Sequence, residues 1–134
     1  PVMFFLLGAV MASLGPGNIA TSALLAPLAM SAAGERRIPA FPMALMVGNG
    51  ANAGALSPLA PTGIIVNNLM ARIGLPGVEL LTWWYCLLAH AVVGIGGYLV
   101  FGGWRLLREP AREEAEHRVE PLERAHWITL GVLA

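Results

Sequence analysis

Three long stretches of this chain carry no charge: residues 1–34, 38–71 and 80–104 contain no Asp, Glu, Lys or Arg. Uncharged apolar runs of more than about 18 residues are long enough to cross a hydrocarbon core as helices. A water-soluble bundle would need a polar face on each helix to shield such runs, and no such faces are visible. Eleven of the sixteen charges instead crowd into residues 105–124. Only 12% of the chain is charged, against about a quarter in ordinary soluble domains. The expectation is an all-α, polytopic membrane protein.

Several function classes fall away on the same grounds. The formal net charge is zero, and no basic stripe stands apart from acidic neighbours, so no nucleic-acid partner is expected. Cys86 is the sole cysteine and cannot form an internal disulfide. The first run opens on Pro1 without a basic flank, unlike a cleavable signal peptide. A new apolar run starts at Trp127 and reaches the last residue, so the chain reads as a fragment whose remainder lies in the same polypeptide. No Ser-His-Asp or Cys-His nucleophile arrangement is legible. Neither an enzyme nor a bound cofactor is expected.

Glycine and proline punctuate the runs. Gly15-Pro16-Gly17 interrupts the first, giving two helices over about Val2–Leu14 and Ile19–Ala33, with Asn18 placed to cap the second. At a rise of 1.5 Å per residue, both are shorter than a bilayer core about 30 Å thick. Residues 1–33 are therefore expected to form a re-entrant helical hairpin, followed by a cytoplasmic loop at 34–39. Residues 40–73 read as a discontinuous transmembrane helix with halves near 40–48 and 62–72. Its interruption is expected from Gly48 through Gly54, then Ser57-Pro58 and Pro61-Thr62-Gly63. A long transmembrane helix follows at 78–107, a charged cytoplasmic linker at 108–125 and the start of another span at 126–134. Two crossings separate the loop holding Arg36 and Arg37 from the Arg-rich linker, so both lie on one side. The positive-inside rule makes that side cytoplasmic.

Paired breaks at mid-membrane are the sequence mark of a transporter binding site. A half-helix ending there leaves amides that favour anions and carbonyls that favour cations. Asn18 stands at one break, and Asn49, Asn52, Ser57 and Thr62 populate the other. Neutral ligands avoid the cost of a buried charge. No Asp or Glu lies within the spans, which argues against a proton relay and for Na⁺ coupling or uptake of a protonated substrate. Gly94, Gly97, Gly102 and Gly103 read as helix-packing positions. His90, beside Cys86, reads as a packing hydrogen bonder, while His117 and His126 need no role. Trp83, Trp84 and Tyr85 at one end of the long helix, and Trp104 at the other, read as interfacial belts. Gly48 to Ala53 fits a loose G-x-G-x-x-A pattern, but no strand precedes it, so it is not read as a nucleotide site.

The stretch Gly17-Asn18-Ile19-Ala20-Thr21-Ser22-Ala23-Leu24-Leu25-Ala26-Pro27-Leu28 resembles the Ser-Asn-Thr hairpin tip of divalent anion:sodium symporters. The block Gly48 to Asn68, GNGANAGALSPLAPTGIIVNN, is similar to the N-terminal region of MatC-type dicarboxylate (malonate) carriers. His126-Trp127-Ile128-Thr129-Leu130 resembles the start of the next span in such carriers. The resemblance implies the ion-transporter superfamily fold, with inverted repeats and elevator-type movement. It implies substrate contacts at Asn18, Thr21, Asn52, Ser57 and Thr62. It implies Na⁺ ligation by Ser13, Asn18 and the carbonyls between Gly50 and Gly54. The tip here reads Gly-Asn-Ile, two hydroxyls short of the family pattern, and the usual Pro-Pro-Asn ending of the second motif is absent.

The reading is a bacterial inner-membrane, multi-pass carrier for a small dicarboxylate such as malonate or a C4 acid, coupled to Na⁺ and working as a homodimer. A non-transporting scaffold subunit would need no paired breaks. A channel would show a continuous polar stripe along one span. An arsenite or proton exchanger of the same superfamily would be expected to carry an intramembrane carboxylate.

Overall fold

A proline or a residue with positive φ stands in every connection between successive α-helices. The computed structural model describes residues 1–103. These form α1 (Val2–Ser13), α2 (Gly17–Glu35), α3 (Ala40–Ala53), α4 (Pro61–Arg72) and α5 (Glu79–Tyr98), which runs into a π-helical turn at Leu99–Gly103. No strand occurs among the described residues. The linker expected at 108–125, the span expected from 126, Trp104, His117 and His126 lie outside them.

The boundaries follow from local chemistry. Gly15 and Gly17 take positive φ (142° and 75°) around Pro16, a conformation that costs glycine no Cβ clash. Arg37 (φ 53°) and extended Pro39 separate α2 from α3. Ala60 is extended (ψ 145°) ahead of Pro61, the first residue of α4; proline biases the residue before it that way and suits a helix start. Gly74 and Gly77, both near +80°, turn the chain into α5.

Two expectations need correction here. The break in the discontinuous helix was expected from Gly48, but α3 continues through Ala53 and the interruption occupies 54–60. Gly50 stays helical because α1 lies against it: a Cβ there would meet the Phe5 backbone. Close packing offsets glycine's helix penalty of about 1 kcal/mol. The helix stops at Gly54, ahead of Pro58, where it would lose a donor and meet a ring clash. The second correction concerns α2. It has 19 residues, about 28 Å at the standard rise, rather than the 15 of Ile19–Ala33. Pro16 occupies the N-cap position and no side chain caps the helix, so Asn18 is not the cap; its amide is engaged elsewhere.

The core is organised around α3, which packs on α1, α2 and α5. One cluster joins Phe5 and Ala9 of α1 to Met46 and Ala53 of α3 and Tyr98 of α5. The other joins Leu25, Ala29 and Ala33 of α2 to Met43 and Val47 of α3. On α2 the buried residues are Gly17, Thr21, Leu25, Ala29 and Ala33. Every fourth residue forms one ridge, the geometry of close helix crossing. Ala29 is fully buried, so Ala29→Leu overpacks the α2–α3 contact and costs about 1–3 kcal/mol. A lower thermal midpoint of the detergent-purified protein is the expected result, and an unchanged midpoint would contradict this packing.

The outer surfaces differ sharply from this core. Met3, Leu6 and Val10 on α1, Leu14 just past its end, and Leu80, Trp84, Leu88 and Val92 on α5, are all exposed. The segment Glu79–Phe101 is long and apolar enough to cross a membrane, the one such helix among the described residues. Of the aromatic residues at the start of α5, Trp83 is half-buried and its indole N–H has no hydrogen-bond partner, whereas Trp84 and Tyr85 are exposed.

Candidate functional site

The bend between α1 and α2 and the break between α3 and α4 lie against one another, although more than thirty residues separate them in sequence. Four contacts hold them. The Asn18 side-chain amide donates to Asn52 Oδ1 at 2.8 Å. The Ser57 hydroxyl donates to the Ser13 carbonyl at 2.8 Å. Gly54 sits on the end of α1, where an added Cβ would be 2.5 Å from the Ala9 carbonyl oxygen and 2.7 Å from Ser13 N. Gly17 faces Pro61, with 3.6 Å from the position of its absent Cβ to the proline ring.

That last contact brings the N-terminal ends of α2 and α4 together. First-turn amides have no intrahelical partner, and neither helix carries a side-chain cap. Gly17, Asn18 and Ile19 in α2, and Thr62 and Gly63 in α4, carry the first-turn N–H groups of these two ends. The two helix dipoles add a positive field there. No charged residue lies between 38 and 71. The arrangement can attract an anion with backbone and neutral side chains alone.

The carbonyl ends of α1 and α3 meet at the same place. The last four carbonyls of a helix lack intrahelical donors, and in α3 these are Gly50 to Ala53. The Asn52 carbonyl accepts the Ala55 N–H at 3.0 Å and the Cys86 thiol at 3.3 Å. The Gly54 carbonyl accepts the Ser57 N–H at 3.1 Å.

The residues singled out from the sequence fall into different settings. Asn18, Asn52, Ser13, Gly54 and Ser57 are brought together. Thr62 is exposed at the start of α4, beside the proline that Gly17 meets. The Ser57 hydroxyl donates to Ser13 and accepts the Leu59 N–H at 3.3 Å, so it acts as an internal brace. The Ser13 hydroxyl donates back to the Ala9 carbonyl at 2.7 Å. Gly50 lies in the α1–α3 crossing. Thr21 is 1% exposed, inside the α2–α3 contact, and its hydroxyl has no partner. Asn49 donates to the Leu45 carbonyl of its own helix.

Cys86 had no site role in the sequence reading. Nothing in its neighbourhood distinguishes it, because its partner is the Asn52 carbonyl, 34 positions away. His90 Nδ1 lies 2.9 Å from the Cys86 carbonyl one turn back, a bond within α5.

Residues 1–55 match the family described as dicarboxylate carrier protein MatC N-terminus. The match spans α1, α2 and α3 as far as the first residues of the break. It includes Ser13, Asn18, Thr21, Gly50, Asn52 and Gly54, and stops before Ser57 and Thr62. No curated protein and no solved structure matches the chain.

Proposed function

We propose, from a chain whose first 55 residues match the N-terminus of a MatC-type dicarboxylate carrier, that this is the substrate-binding part of a secondary transporter for small dicarboxylates. The observation that carries the reading is the meeting of the two interruptions, tied by Asn18 to Asn52 and by Ser57 to Ser13. A membrane protein tolerates broken backbone at depth only where protein buries it or it lines a cavity. Facing breaks are how transporters build a midplane site.

In this reading residues 1–33 are a re-entrant hairpin, α3 and α4 form one discontinuous transmembrane helix, and α5 is a full span in the bacterial inner membrane. One carboxylate of malonate or a C4 acid sits against the N-terminal amides of α2 and α4, with Asn18, Asn52 and Thr62 as side-chain contacts. Thr21 joins them only if α2 shifts on α3. Sodium is the coupling ion, held by Ser13, Asn18 and carbonyls from Gly50 to Gly54. The exposed apolar faces of α1 and α5 are covered by lipid, by the remainder of the same polypeptide and by a second copy in a homodimer.

The test is uptake of labelled malonate and succinate by the full-length protein in proteoliposomes, with and without an inward Na⁺ gradient. Uptake that follows the gradient supports the whole reading. Uptake indifferent to Na⁺ removes the coupling assignment and keeps the carrier. No uptake of either acid overturns the substrate class.

A further inference from the structure

We infer that Cys86 of α5 is a positioning residue, fixing the end of α3 and, through Asn52, the orientation of Asn18. The inference rests on the carrier reading and adds α5 to a site built so far from α1 to α4.

The geometry is a chain of contacts across three helices. Cys86 Sγ donates to the Asn52 carbonyl at 3.3 Å, and the Asn52 side chain accepts the Asn18 amide at 2.8 Å. Asn52 stands in the last turn of α3, where carbonyls have lost their helical donors. The Ala55 N–H reaches its oxygen from its own chain segment, and the Cys86 thiol reaches it from α5. In the tautomer that donates Nδ1–H to the Cys86 carbonyl at 2.9 Å, His90 cannot accept the thiol proton, although its Nδ1 lies 3.7 Å from the sulfur.

The face of α5 that carries Cys86 is pressed onto α3. Glycine at 94 leaves room for the Asn49 and Phe5 side chains, and glycine at 97 for Leu45. This contact sets the thiol's height against the end of α3. A thiol is a weak donor. It therefore orients the carbonyl while leaving it able to turn toward a bound cation.

The test uses the full-length protein with any other cysteine replaced. Asn18→Ala is expected to speed alkylation of Cys86 by N-ethylmaleimide severalfold, because the far end of the chain of contacts is released. Cys86→Ala is expected to raise KM for the dicarboxylate about twofold to fivefold, the loss of one weak hydrogen bond, with maximal rate retained. Cys86→Ser, which keeps a donor, restores KM and shows that the position tolerates substitution. Alkylation at the unmodified rate in Asn18→Ala overturns the inference, as does an unchanged KM in Cys86→Ala. Absence of uptake by the unmodified protein would overturn the carrier reading instead. The alkylation comparison would still decide whether Cys86 and Asn18 are linked.

Discussion

Gly54→Ala is expected to lower the thermal midpoint of the purified protein and abolish dicarboxylate uptake, while Gly48→Ala leaves both intact or slightly improves stability. The two glycines stand six residues apart, and the substitution adds the same methyl group. At Gly54 that carbon would lie 2.5 Å from the Ala9 carbonyl oxygen, 2.7 Å from Ser13 N and 2.8 Å from Ala12 Cβ. Two of these are backbone atoms of α1, which cannot rotate away as a flexible side chain could. The end of α1 must move, at an overpacking cost of about 1–3 kcal/mol. Its movement pulls the Ser13 carbonyl from the Ser57 hydroxyl and parts the two breaks. At Gly48 nothing lies within 4 Å, and alanine in a helix gains roughly 0.5–1 kcal/mol over glycine. Thermal unfolding in detergent beside vesicle uptake gives the comparison. Equal midpoints for the two variants would show that α1 does not rest on the break.

Asn18→Ala is expected to reduce uptake about tenfold to a hundredfold with little change in folding. Asn18 is partly exposed, and its one side-chain bond, to Asn52, is a polar contact at the surface of the bundle. Its loss costs the fold little. In the proposed site the same amide also faces a carboxylate, and a hydrogen bond to a charged group contributes about 1.5–3 kcal/mol, which is that range of affinity. Asn18→Asp keeps the size and sets a negative charge against the anion, so it is expected to transport less than the alanine variant. Uptake by Asn18→Ala at the unmodified rate would remove Asn18 from the site. Uptake by Asn18→Asp above that of Asn18→Ala would mean that the position binds a cation alone.

The legible part of this protein was its segmentation. Prolines and turn glycines at 15–17, 39, 61 and 74–77 marked boundaries that the structure keeps to within a few residues. The misplaced boundary is instructive. Gly48, Gly50 and Gly54 look alike in sequence, yet the first is half-open on α3, the second seats α1, and the third ends the helix against it. Asn18 looked like a cap because Asn after Gly favours one; a partner across the bundle took its amide instead. Among the site candidates, Ser57 and Ser13 came together as a brace, whereas Thr21 went into a helix contact. Polar residue type near a break gives no direction for the side chain.

By itself the sequence determined that the chain is helical and where its helices cannot continue. Both follow from costs carried by single residues or their immediate neighbours: a charge in an apolar medium, a missing proline N–H, a Cβ at positive φ. Only the tertiary structure decided which glycine makes a contact and which makes a break, that Asn18 answers Asn52, and that Cys86 reaches the end of α3. Those outcomes depend on what lies across a helix–helix contact, and that neighbour comes from a distant part of the chain.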